Sequence, residues 1–374
     1  MIVQKTVQKT IQKKLIEPTH ETHRIGKIFL WLLIFVPISW LSAYIIHDQT
    51  LTFIFAIIAL IPLARIIGYS TKEFSLQTNP AWGGLINATF GNMIELFIAI
   101  LALSRGLYHV VQASIVGSII GNILLLIGLS VFFGGLKYKE QKFNKDSIGI
   151  SATMLIIAIA GLAIPTVYAL TVDTTPREIQ LVSDAVAIVL AITYIAGLVF
   201  SLITHKHLFD ASDEIKATKE KPTITKKTAI LYLCLTTIAV AIESELLVGQ
   251  IEHVAISLGI TQMFIGAVII AIVTNIAEKT TAIHFALENK LDIALEIGLS
   301  SAIQIALFVV PILVVVSDIM NYNFSLVMSL FQIISMLFAV MIVNYLSADG
   351  KCNWLEGVQL LSVYLIIAIA FFFI

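Results

Sequence analysis

Charge is what this sequence has least of. Only 13% of its 374 residues are Asp, Glu, Lys or Arg, against 58% hydrophobic, and the formal net charge is −1. Soluble domains carry about 25% charged residues. A chain of this length with so few cannot cover a water-facing surface, which argues against an ordinary cytosolic enzyme. Disorder is excluded as well, because it requires low hydrophobicity and high net charge. Without a basic excess, nucleic acid is not expected as a partner. Cysteine is scarce: Cys234 and Cys352 stand far apart and form no motif, so there is no disulfide framework. No Gly-x4-Gly-Lys-Ser/Thr phosphate loop occurs, which argues against ATP-driven pumping. The ten-residue alternation of an outer-membrane barrel is missing too.

Long apolar runs are abundant. A membrane helix needs roughly 20 mainly apolar residues, and eleven stretches qualify: 27–46, 51–68, 82–105, 107–134, 147–169, 179–203, 228–246, 260–287, 291–318, 322–346 and 355–374. The first is too long for a secretory leader and lacks a small-residue cleavage pattern. With the N-terminus in the cytoplasm, twenty Lys and Arg fall on the inner side and only Arg105 and Arg177 on the outer. That asymmetry places the N-terminus inside and the C-terminus outside. The basic arm 1–26 carries Val3, Val7, Ile11 and Leu15 four residues apart and reads as a solvated tail that fixes orientation.

The chain repeats itself. Residues 83–103 align with 266–287 at an offset of 183, which matches Gly83 with Gly266, Ala88 with Ala271, Asn92 with Asn275 and Glu95 with Glu278. On the following helix the offset is 182, and Ser118 matches Ser300 and Asn122 matches Gln304. Each half, 51–203 and 228–374, holds five helices, so the second copy enters the membrane upside down. Inverted repeats with a midplane site are the signature of secondary transporters. The expected fold is therefore all-α and polytopic: about eleven spans, two inverted five-helix repeats, an extra N-terminal helix 27–46 and a cytoplasmic linker 204–227.

Glu95 and Glu278 fall near the centres of their spans, where a charge costs roughly 2.5–3.5 kcal/mol on insertion scales and marks function by default. Facing repeats bring the two carboxylates to one site. Such a pair suits a hard divalent cation, and Ca²⁺ takes 6–8 oxygens. Gly91 and Thr274 each lie four residues before a glutamate, where a broken helix would turn a carbonyl toward the ion; irregular backbone at that depth must line a cavity. Asn92, Asn275, Ser118, Asn122, Ser300 and Gln304 are neutral groups able to orient the carboxylates or to bond between helices. Because a carboxylate away from water disfavours its charged form, cation and protons compete for the same oxygens. That competition is an exchange mechanism. No resident cofactor is expected, and Ser118 and Ser300 lack a His or Lys partner at matched depth other than Lys279, so the chain is not expected to be an enzyme.

The segments Gly83-Gly-Leu-Ile-Asn87-Ala-Thr-Phe-Gly91-Asn92-Met-Ile-Glu95, Gly117-Ser118-Ile-Ile-Gly121-Asn122 and Gln304-Ile-Ala-Leu-Phe-Val-Val-Pro311 resemble the CAX-type Ca²⁺/H⁺ antiporters of the calcium/cation antiporter superfamily. The resemblance spans nearly the whole chain. It implies Ca²⁺ and protons as substrates within the lipid bilayer, Glu95 and Glu278 as the ion- and proton-binding acids, and the Gly91 and Thr274 carbonyls as ligands. The chain's short length fits the cytoplasmic membrane of a prokaryote.

The second signature departs from that pattern. Where the family usually reads Gly-Asn-x-x-Glu-His, this chain reads Thr274-Asn275-Ile276-Ala277-Glu278-Lys279, and Glu296 stands where a small residue is common. Lys279 either pairs with Glu278, cancelling one site charge, or pairs with Glu296; the second is favoured because each is a departure. Lys279 also keeps open Na⁺/Ca²⁺ or monovalent cation/H⁺ exchange on the same fold, and a passive channel is a further alternative. His284 reads as a helix-end histidine near water. Glu243, Glu245, Glu252 and His253 read as a solvated cluster at the outer mouth.

Overall fold

Inside a bilayer the backbone has no water to bond, so each spanning segment must satisfy its own amides. The chain does so by being helical almost throughout. The computed structural model describes residues 26–78, 80–205, 222–322 and 324–374; nearly all of the basic arm and the centre of the linker lie outside these. Helix α1 (Lys27–Ile46) precedes the first repeat. That repeat comprises α2 (Gln49–Ser75), α3 (Pro80–Gly91) with α4 (Met93–Ser104), α5 (Tyr108–Tyr138), α6 (Lys145–Thr171) and α7 (Pro176–Thr204). The second comprises α8 (Lys226–Val248), a short α9 (Ile251–Leu258), α10 (Gln262–Thr274) with α11 (Ile276–Leu287), α12 (Leu291–Ile319), α13 (Leu330–Leu346) and α14 (Trp354–Phe373).

Local signals set the helix starts. Thr175, Ser329 and Asn353 begin α7, α13 and α14 with reciprocal capping boxes to Glu178, Gln332 and Glu356, which satisfies amides the first turn leaves free. The helices then sort by depth. In its most apolar stretch α5 is 83% buried and α7 only 17%, so α5 forms the centre and α7 the perimeter. The exposed side chains of α7 include Ile188, Val189, Ile192 and Ile195, a surface made for acyl chains rather than water.

Among the described residues eight helices are long and apolar enough to span, or ten if each of two bent pairs counts as one. The expected eleven is corrected in one place. The expected span 322–346 is helical only from Leu330, because the Ser329 cap fixes its start. The residues before it run as a buried extended strap whose amides are met by side chains. Phe324, Leu326 and Met328 donate their N–H groups to Ser317, Ser183 and Thr166 at 3.2, 3.1 and 2.8 Å. Gln112 of α5 donates to the Val327 carbonyl at 2.7 Å. Thr166→Val keeps the shape but orphans the Met328 amide, and should destabilise the purified protein by about 1–3 kcal/mol, read as a lower melting temperature. The run 260–287 is two helices joined at Asn275, a break the sequence leads one to expect.

The extra helix α1 docks through Ser39, whose hydroxyl lies 2.9 Å from both carboxylate oxygens of Glu243 on α8. Glu243 is fully buried, not part of a solvated mouth; a carboxylate this deep needs a donor, and α1 supplies it. Glu252 and His253 are exposed as expected, and Glu245 pairs with Arg105 at the end of α4. At the lysine-rich end, a strand β1 (Glu140–Lys142) pairs antiparallel with β2 (Lys351–Asn353), Gln141 opposite Cys352. It ties the first repeat to the second. Cys352 is buried there, and desolvation pushes its thiol well above the usual cysteine range.

Candidate ion site

Two asparagines interrupt two helices in the same way. Asn92, between α3 and α4, has φ −105° and ψ 18°; Asn275, between α10 and α11, has φ −101° and ψ 23°. Asparagine tolerates such breaks because its side chain bonds locally in place of the helical ladder. The first pair of helices bends by 50° at the break. Each break frees carbonyls on one side and N–H groups on the other. Both breaks lie one residue beyond the expected weak points Gly91 and Thr274, which end α3 and α10.

Glu95 and Glu278 are each the third residue of the helix after the break, in its first turn. The partial positive charge of a helix N-terminus favours a carboxylate there. Glu95 is 6% exposed, and Thr274 of the other repeat lies beside it. The two glutamates lie close enough to feel each other's charge. Each leaves its Oε2 buried and without a hydrogen-bond partner in the protein. Among the described residues no group of three His, Cys, Asp or Glu is placed to hold a metal ion.

The neutral residues meet across the repeats. Asn92 donates to Gln304 at 2.8 Å. The symmetry-equivalent contact joins Asn122 to Asn275 at 3.2 Å. Asn275 also donates to Ser118 at 3.4 Å and to the Thr274 hydroxyl at 3.1 Å. Ser300 stays outside this network and bonds back to the Ile297 carbonyl. Its neighbour Ser301 takes the place instead, 2.7 Å from Asn122 and 3.3 Å from Asn275. The adjacent serines in sequence were the available signal. At Gly91 nothing stands within 4 Å of where a Cβ would project, so the space beside the end of α3 is open.

Lys279 and Glu296 do not pair. The Lys279 ammonium turns back to the break and donates to the carbonyls of Ala271 and Asn275 at 3.3 and 3.5 Å. Glu296 accepts from Ser151 of α6 at 3.3 Å. Each therefore has a partner of its own: backbone carbonyls at the break for Lys279 and a hydroxyl for Glu296. His284 sits near the end of α11, 3.0 Å from Glu288 and partly exposed. Arg65 of α2, unremarked in the sequence beyond its charge, donates to Thr281 at 3.1 Å and its charge reaches Glu278.

Two alike repeats, each with a broken helix and a carboxylate in the next turn, define a secondary transporter of the inverted-repeat class. The profile of the sodium/calcium exchanger protein family matches residues 48–203 and 228–373, and this chain belongs to that family. A Ca(2+)/H(+) antiporter of Synechocystis sp. is 40% identical over 365 residues, covering 93% of this chain and 98% of its own. The Ca(2+)/H(+) antiporter ChaA of Bacillus subtilis is 39% identical over 339 residues, 90% of this chain and 96% of its own. The structure of native YfkE matches at a TM-score of 0.80 and 37% identity, over 92% of this chain and all of its own. The resemblance read in the motifs therefore holds at family level.

Proposed function

We propose that this chain is an antiporter that exchanges Ca²⁺ for protons across a membrane by alternating access. The observation that carries this reading is the pair of carboxylates in two equivalent broken helices, each with a buried and unsatisfied Oε2. The names of the relatives that match nine-tenths of the chain support the choice of ions. Two carboxylates supply up to four oxygens, and carbonyls at Gly91 and Thr274 bring the count toward what Ca²⁺ takes. When the ion leaves, two carboxylates out of water disfavour their charge and take up protons; when it returns, they release them. The asparagine, glutamine and serine contacts between repeats hold the carboxylates in register and part as one repeat moves against the other.

The lysine-rich end faces the cytoplasm in this reading, with the N-terminus inside and the C-terminus outside. The bacterial relatives favour a cytoplasmic membrane. Lys279 supports one second reading, monovalent cation/H⁺ or Na⁺/Ca²⁺ exchange, because its charge offsets one carboxylate. The test is ⁴⁵Ca²⁺ uptake into proteoliposomes under an imposed pH gradient or an imposed Na⁺ gradient. Uptake driven by the pH gradient alone supports the proposal; uptake that needs Na⁺ selects the second reading. Asn122→Leu removes both contacts of that side chain and should slow uptake about tenfold, the worth of one or two interhelical bonds.

A further inference from the structure

The exchange scheme leaves Lys279 without a role, yet its placement is specific. The side chain is 5% exposed and lies beside the candidate ion site, close enough to feel the charges of Glu278 and Glu95. It reaches back across the break to two backbone carbonyls, that of Ala271 in α10, which also accepts from the Asn275 side chain at 3.4 Å, and that of Asn275. Carbonyl oxygens at an interrupted helix are the ligands that a desolvated alkali cation takes in transporters. An ammonium and a K⁺ ion have the same charge and nearly the same size. The first repeat has no such cation: the equivalent residue is Leu96, and although the amides of Leu96 and Lys279 bond the Asn92 and Asn275 carbonyls alike, at 3.0 and 3.2 Å, only the second repeat adds an ammonium. The asymmetry therefore rests on one side chain.

We propose that Lys279 is a tethered cation, occupying on the Ala271 and Asn275 carbonyls a subsite that would otherwise admit a free monovalent cation. The inference rests on the exchange reading for the identity of the transported ion, but not for the subsite itself. The built-in charge adds equally to the Ca²⁺-loaded and the doubly protonated states. It leaves the exchange ratio unchanged and weakens Ca²⁺ binding by repulsion. The wild type then needs no monovalent ion, and its affinity for Ca²⁺ does not depend on which one is present.

The experiment is equilibrium ⁴⁵Ca²⁺ binding to the purified full chain in detergent, at constant ionic strength, in choline, K⁺, Na⁺ or propylammonium chloride. Propylammonium replaces the atoms that Lys279→Ala deletes. For the wild type the four salts should give one affinity. Lys279→Ala should bind Ca²⁺ about tenfold more tightly in choline than in K⁺ or propylammonium, a coupling of ordinary size between adjacent sites. Lys279→Met, which fills the space without charge, should be insensitive to the salt. A Lys279→Ala protein that ignores the monovalent ion overturns the proposal, and so does a Lys279→Met protein that responds like it. Lys279→Ser serves the same comparison if the alanine variant does not fold. Should the wild type bind no Ca²⁺, the exchange reading fails on its own. The subsite is then read by thermal stabilisation in K⁺ against choline, expected at roughly 3 °C for Lys279→Ala and absent in the wild type; equal shifts overturn it.

Discussion

Glu278→Gln is expected to lose pH-gradient-driven Ca²⁺ uptake, falling at least about a hundredfold, as removal of one member of a buried charge contact does. The amide keeps the shape of the side chain, so the Asn275 break and its contacts should survive. What disappears is the negative charge and the exchangeable proton. Glu95→Gln should behave alike, since Glu95 occupies the same place after an equivalent break. Measured rates must be normalised to protein incorporated in the vesicles. Glu243→Gln is the control: that carboxylate is fully buried but serves α1 through Ser39, so its loss should leave uptake in place. Wild-type uptake in Glu278→Gln would end the two-carboxylate mechanism, whatever the family.

The pairing of Glu95 with Glu278 was legible in the sequence because the repeat offset is constant and a carboxylate inside an apolar run has few structural uses. Helix breaks beside them were legible too, though one residue early. Glycine and threonine weaken a helix, but the residue that leaves helical geometry is the asparagine that can bond in place of the ladder. Ser300 was matched to Ser118 by position alone. One residue turns a helix by about 100°, and that rotation decides that Ser301 faces Asn122. The partner of Lys279 was beyond pattern reading, since freed carbonyls leave no trace in residue types. So was the strap before α13: a run of apolar residues looks continuous, and only the Ser329–Gln332 box marks where the helix begins. Glu243 misled for a related reason, because a helix end rich in acids looks wet until another helix covers it.

Gly117→Ala is expected to cost more stability than any other single methyl group added near the site. A Cβ at Gly117 would fall 2.0 Å from the Ala267 carbonyl oxygen and 2.4 Å from its Cα. These are backbone atoms with no rotamer to yield, so α5 and α10 must move apart. On the facing side, a Cβ at Gly266 would meet the Val110 carbonyl at 2.8 Å. The two glycines together let a helix of one repeat cross a helix of the other backbone to backbone, as small residues do in membranes. That crossing sets the distance between Ser118, one residue on from Gly117, and Asn275, eight residues on from Ala267. Overpacking of this kind costs typically 1–3 kcal/mol, sometimes more. The expected result is a lower melting temperature in detergent and a loss of uptake, both restored in part by Ala267→Gly only if side-chain volume rather than backbone contact is the cause. Because the clash is with the Ala267 backbone, no such rescue is expected. Melting and uptake equal to the wild type would mean that α5 and α10 lie further apart than the structure places them, and the contacts between Asn122 and Asn275 would then need another geometry.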